Sequence, residues 1–198
     1  WDGHPQHIVD SYDACLFESC PQEPIHPCAV GLTHDNMGNR DSMKGYFAAV
    51  TAMDEAVCRI LDRLEQLGIR NNTLVIFLSD NGFSLGHHGF WGKGNGTFPA
   101  NMYENSIRVP AVMSHPDRIP QGIVQSAMFS ACDFMPTLLT YLDLPVPTDR
   151  NLSGTAMVPT WLGEDTGARE HVVICDEYGD TRMIRTNTWK YVHRFPSG

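Results

Sequence analysis

The sequence predicts an α/β fold that gives way to a small antiparallel β subdomain. Three observations predict it. Residues 42–67 set Phe47, Val50, Met53, Val57, Ile60, Leu61, Leu64 and Leu67 at intervals of three and four, the period of one helix face. Leu74 to Leu78 is apolar without alternation, as in a strand covered on both faces in a parallel sheet. Residues 171–177, 181–186 and 188–194 are three short β-prone runs, with Gly179-Asp180 and Asn187-Thr188 as turns between them.

The elements follow in order. Residues 1–40 are rich in Pro, His, Cys and Gly and have no period, so they read as a long surface excursion with one short helix. Asp41 or Ser42 can cap the long helix and Gly68 can stop it. Helix, short loop and buried strand make half of a βαβ unit. After a polar stretch, IRVPAVM (107–113) predicts a second strand, with Pro110 at an edge or bulge. Residues 133–142 predict a helix with Asp133 as N-cap and Pro136 in the first turn. A Pro-rich connector over 145–163 leads to the meander. The expected domains are an α/β domain over 1–163 and the beginning of an antiparallel sheet over 164–198.

Bulk properties narrow the function. A formal net charge of −9, with no clustered Lys and Arg, argues against a nucleic-acid surface. No apolar run approaches the roughly 18 residues of a membrane span. None of the six cysteines forms a C-x-x-C pair, which argues against a zinc site. Cys15, Cys20 and Cys28 can include a disulfide in an oxidising compartment, whereas Cys58 and Cys132 fall in apolar helices and are expected to be packed thiols. The chain opens on Trp1 and closes on RFPSG, and reads as a piece cut at both ends. Its compartment is therefore not legible.

Ligands of open α/β sheets bind beyond the carboxyl ends of the strands, where Ser79-Asp80-Asn81-Gly82 stands. Asp80 offers a hard carboxylate oxygen and Asn81 an amide oxygen, and both suit Ca²⁺ or Mg²⁺. Two oxygens do not complete a coordination sphere, so other ligands must come from elsewhere. The same residues also make an ordinary polar turn. Lys93 lies in GKGNG, where glycines leave the backbone open. Beside a metal-bound anion its ammonium would neutralise charge on transferring oxygens; a solvated loop lysine is the other reading.

TLVIFLSDNG, GHHGFWGKG and MYENSIRVP, in this order, resemble the central and C-terminal part of a sulfatase of the alkaline-phosphatase superfamily. MKGYFAAVTAMDEAVCRILDRLEQLG upstream and DFMPTLLTYLDLP downstream are similar to the family too, so the resemblance covers most of residues 42–194. It implies part of an alkaline-phosphatase-like α/β sandwich. Asp80 and Asn81 match the family's metal-ligand pair, usually for calcium, with Mg²⁺ or Mn²⁺ as alternatives. Lys93 matches the lysine that contacts the sulfate and the nucleophile side of the site. Gly86-His87-His88-Gly89 matches a Gly-acid-His-Gly pattern in which His87 replaces the acid. His88 is thus a candidate for the substrate pocket, beside its reading as a hydrogen-bonded structural histidine. Tyr103, Glu104 and Arg108 match a block that positions loop and strand, with a buried Arg–Glu pair as one possibility. Phe90 and Trp91 are candidates for stacking on a sugar ring, core packing being the alternative for Trp91.

The family's nucleophile is formylglycine, made from Cys or Ser in C/S-x-P-S/A-R. No cysteine here has that context. Ser114-His115-Pro116-Asp117-Arg118 fits S-x-P-x-R, but it follows the SIRVP block and carries Asp in the fourth place, so it reads as a decoy. WDGHP at the start resembles the residues just after a His-x-Pro-Trp stretch. The nucleophile and the remaining metal ligands are therefore expected outside this chain, and residues 1–198 alone are expected to be inactive. The implied substrate is a sulfated small molecule or carbohydrate. Hydrolysis of a phosphodiester or phosphonate ester, or non-catalytic binding of an anionic sugar, stays open as an alternative. A sheet edge left bare beside residues 74–78 would invite self-association.

Overall fold

The computed structural model describes residues 3–164, 169–177 and 179–196, so Trp1 and Asp2 of the WDGHP opening lie outside the described residues. The helices are α1 (Gln6–Asp10), α2 (Thr33–Asn36), α3 (Arg40–Gln66), α4 (Glu104–Ile107), α5 (Ala131–Tyr141) and α6 (Val158–Trp161). The strands are β1 (Val75–Leu78), β2 (Ser84–Leu85), β3 (Trp91–Gly92), β4 (Ala111–Ser114), β5 (Val172–Cys175), β6 (Thr181–Arg185) and β7 (Lys190–Arg194). Two compact units form, one from residues up to Arg70 with Phe77–Ala111, the other from Asn71–Ile76 with the chain from Val112 on.

In the first unit, α3 starts two residues before the expected point. Its N-cap is therefore Asn39, whose side chain accepts the N–H groups of Asp41 and Ser42, and not Asp41 or Ser42 themselves. Gly68 stops the helix as expected, in the left-handed conformation at φ +65°. The period is correct, but burial is confined to Ser42, Met43, Gly45 and Ala48 near the N-terminus. Val50, Met53, Ile60 and Leu67 of the apolar face are exposed. Periodicity decides which side chains share a face, whereas a packing partner decides whether that face is dry.

The core of this unit is Phe17, Cys20, Met43, Leu85 and Trp91, flanked by Tyr12, Tyr46, Phe47 and Phe83. Residues 1–40 are thus more than a surface excursion, with Ile8, Phe17, Cys20 and Thr33 all buried. Side chains satisfy the backbone of this irregular segment. The Gln22 amide donates to the carbonyls of Cys20 (2.8 Å) and Leu85 (3.0 Å) and accepts the Gly38 N–H (2.7 Å).

All six cysteines are free. Cys58 and Cys132 are exposed, contrary to expectation. Burial pushes the Cys20 thiol up, the Ser19 hydroxyl partly opposing and Cys15 adding to the rise. In the folded protein at about pH 8, Cys20 should therefore react with a thiol reagent at least about tenfold more slowly than exposed Cys28, since the thiolate is the reactive form. Differential alkylation read by peptide mass spectrometry checks this; equal rates would mean that the Phe17–Trp91 core opens readily.

The strands β1 and β4 are neighbours in a two-stranded sheet. β1 is half-buried and Leu78 exposed, so the expected cover on both faces is lacking among the described residues. β4 begins only at Ala111, because Pro110 lacks the N–H of a ladder bond; Ile107, the first residue of the expected strand, ends the helix α4. α5 begins at Ala131, with Ser130 as N-cap and Asp133 at the third helical position. Asp133 accepts the Ser130 N–H (2.9 Å), the return half of a capping box. Pro136 consequently falls inside the helix and leaves the Cys132 carbonyl without its helical N–H. Gly154 packs over that carbonyl, where a Cβ would lie 1.9 Å from the oxygen.

The meander forms as expected, β5–β6–β7 antiparallel, with Val173 opposite Ile184 and Ile184 opposite Tyr191. The S-x-P-x-R segment serves packing. His115 is buried with Nδ1 2.6 Å from the Tyr141 hydroxyl, and Arg118 lies 4.3 Å over the Tyr141 ring. Among the described residues no helix is long and apolar enough to cross a membrane.

Candidate functional site

The chain leaves β1 in a turn held by its own side chains. The Ser79 hydroxyl donates to the Asn81 carbonyl (2.8 Å), and the Asp80 carboxylate accepts the Asn81 N–H (2.9 Å). The Asn81 amide donates to the Gly82 carbonyl (2.9 Å). Gly82 then meets the segment around α4: its N–H donates to the Ser106 carbonyl (3.0 Å), and a Cβ there would lie 2.0 Å from the Asn105 oxygen. Any larger residue would push the Asp80-Asn81 turn away.

β2 and β3 form a hairpin that pairs Ser84 with Gly92 and Leu85 with Trp91. The N-terminal segment clasps it. His26 donates its N–H to the Gly89 carbonyl (2.9 Å), and Thr33 Oγ1 accepts the Trp91 N–H (3.1 Å). At the hairpin tip His88 is left-handed at φ +58°, which for a non-glycine residue costs about 1–2 kcal/mol. The turn sets its ring flat on Tyr103, centroids 4.0 Å apart and planes at 10°. His26 meets the same tyrosine edge-on at 6.3 Å. Phe90 and Trp91 are 0% and 1% exposed, so Phe90, like Trp91, is a core residue and neither can stack on a sugar. Arg108 is exposed. His87, in the place of the family's acid, has a buried Nδ1 with no hydrogen-bond partner.

Lys93 is exposed, and its Nζ donates to Asn81 Oδ1 at 3.0 Å. The fold thus brings the glycine-loop lysine to the strand-end amide, with Asp80 next to it on the same turn. His88 does not join that contact; its ring belongs to the Tyr103 stack. The Asn81 amide is oriented from both ends, its oxygen by Lys93 and its nitrogen by the Gly82 carbonyl. As cation ligands, a carboxylate and an amide oxygen on one exposed turn fit a hard ion. They are part of a set only: among the described residues no three His, Cys, Asp or Glu side chains gather to hold a metal. Asn101, which ties the lysine loop to α4, has no signature in the sequence.

The chain belongs to the sulfatase family, whose model, described as Sulfatase, matches residues 4–144. N-acetylglucosamine-6-O-sulfatase of Bacteroides thetaiotaomicron is 37% identical over 122 residues, 62% of this chain and 20% of that protein. Arylsulfatase K of Homo sapiens is 32% identical over 161 residues, 74% of this chain and 28% of that protein. Among solved structures, a complex with its substrate D-glucosamine-2-N,6-O-disulfate matches with a TM-score of 0.70 at 30% identity, over 80% of this chain and 33% of that one. The yidJ structure of Bacteroides fragilis matches with a TM-score of 0.73 at 27% identity, over 96% of this chain and 40% of that one. The fold is the alkaline-phosphatase-like α/β fold of these structures. The chain spans between a fifth and a third of the length of these two curated relatives.

Proposed function

We propose that residues 1–198 are part of a sulfuric ester hydrolase acting on sulfate monoesters, and that they supply Lys93 as the catalytic and sulfate-binding cation and Asp80 and Asn81 as metal ligands. The observation that carries this reading is the 3.0 Å contact between Lys93 Nζ and Asn81 Oδ1. Lys93 and Asn81 are far apart along the loop, and an ordinary turn after a strand would not need them to meet. A sulfated carbohydrate is the proposed substrate, supported by the amino-sugar names of the similar proteins. His88, stacked on Tyr103, forms a flat wall that would border the pocket.

Lys93 would bind a sulfate oxygen and balance the charge that grows on the transferring or leaving oxygen, while Asn81 holds the ammonium in place. Asp80 and Asn81 would hold Ca²⁺, or alternatively Mg²⁺ or Mn²⁺. That ion would supply charge neutralisation at the sulfate and activation of the nucleophile. A formylglycine outside this chain is the proposed nucleophile. Residues 1–198 by themselves would then be inactive. They would also expose a β1 edge to another segment or a second copy, because β1 has one strand neighbour among the described residues.

The test uses the full-length protein. Chelation should abolish most hydrolysis of 4-nitrophenyl sulfate, and added Ca²⁺ should restore it. Asp80→Ala should weaken Ca²⁺ affinity in titration calorimetry by at least about tenfold, the scale on which even outer-shell partners act. Hydrolysis of 4-nitrophenyl phosphodiesters with none of the sulfate would overturn the reading.

A further inference from the structure

We propose that Asn101 is the positioning residue of Lys93, an inference that rests on the reading of Lys93 as the sulfate-binding cation. Lys93 lies between Gly92 and Gly94, with Gly96 close behind. Glycines restrain the backbone least, and a lysine side chain is a flexible four-carbon stem. An ammonium on such a loop has no reason to stay at one amide oxygen unless its Cα is fixed from elsewhere.

Asn101 supplies that restraint. It is 3% exposed. Its Nδ2 donates to the carbonyls of Lys93 (3.2 Å) and Gly94 (3.0 Å) and to Thr97 Oγ1 (3.3 Å). Its own N–H donates to the Gly94 carbonyl (2.9 Å). On the other side, Oδ1 accepts the Tyr103 N–H (3.3 Å) and the Ser106 hydroxyl (2.6 Å). Donors and acceptors are all used, so the amide has one orientation; a flip would set its oxygen against two carbonyls.

The consequence lies in what these partners hold. Ser106 accepts the Gly82 N–H through its carbonyl (3.0 Å), and Gly82 follows Asn81 directly. Tyr103 is the residue on which His88 stacks. One buried amide therefore ties the backbone of Lys93 to the backbone that carries Asn81. The two ends of the Lys93–Asn81 contact are referenced to each other through Asn101 and Ser106, and not through the glycine loop. Displacement of a reacting group by about 1 Å can cost about 10²-fold in rate.

The experiment is a double-mutant cycle on the full-length protein with 4-nitrophenyl sulfate. Asn101→Ala and the isosteric Asn101→Asp, which keeps the volume but turns a donor into an acceptor facing two carbonyls, should each lower kcat by about tenfold or more. In a Lys93→Ala background the same substitutions should change kcat by less than about twofold, since residues acting as a unit are not additive. Losses that multiply in both backgrounds, or no loss in the Lys93 protein, overturn the inference while leaving the reading of Lys93 intact. If Lys93→Ala keeps full kcat, the reading of Lys93 fails first and this inference falls with it.

Discussion

Lys93→Ala in the full-length protein is expected to lower kcat for a sulfate monoester by about 10²-fold or more, the loss typical of a single preorganised electrostatic group. Three facts set that size. The ammonium is already held at 3.0 Å from Asn81 Oδ1, so little reorganisation is needed when an anion arrives. These 198 residues carry a formal net charge of −9, so an anion bound at this part depends on local cations. An interaction that tightens as charge develops acts on kcat, whereas uniform binding acts on KM. Lys93→Arg should recover only part of the loss. The guanidinium keeps the charge, but its planar fork does not reproduce a point donor at one amide oxygen. Steady-state kinetics of the three proteins decides the matter, and an unchanged turnover number for Lys93→Ala would remove the residue from the site.

The second large effect is expected at Asp133, in the first turn of α5. Its side chain is fully buried and has three partners: the Ser130 N–H (2.9 Å), the Thr155 N–H (2.8 Å) and the Arg169 guanidinium. Breaking a buried ion pair from one side costs about 3–5 kcal/mol, and losing a cap about 0.5–2 kcal/mol. Arg169 keeps some solvent contact, with 23% of its side chain exposed, which moderates the first figure. Asp133→Ala should therefore destabilise the protein by about 3 kcal/mol, a drop of several degrees in thermal midpoint. Asp133→Asn keeps an acceptor for the backbone N–H groups and loses only the charge, so it should cost about half as much. Calorimetric melting of the two variants separates the hydrogen bonds from the ion pair. Equal midpoints for Asp133→Ala and the parent would show that α5 is not anchored through this carboxylate.

Much of the site was legible because its residues are adjacent in sequence or sit in a recognisable context. Asp80 and Asn81 follow an apolar strand, and Lys93 stands among glycines. Reading their identity required no tertiary information. The convergence of Lys93 on Asn81 was an expectation only, and Asn101 was invisible. Its side chain is an ordinary amide in a stretch without period, and its role arises from three chain segments meeting around it. Phe90 shows the opposite error. An aromatic residue in a polar loop reads as a stacking platform, yet the hairpin folds it inward behind Tyr103.

Local chemistry in the chain was sufficient to determine the helix period of α3, its glycine stop, the antiparallel meander, and the acid–amide and lysine residues at the end of β1. These follow from side-chain spacing, backbone preferences and donor type, which neighbouring residues settle among themselves. The tertiary structure alone decided which apolar faces are dry, that Cys58 and Cys132 are exposed, and that Lys93 meets Asn81. Each of these depends on a partner distant in sequence, and burial and charge pairing are properties of what packs against a residue, not of the residue itself.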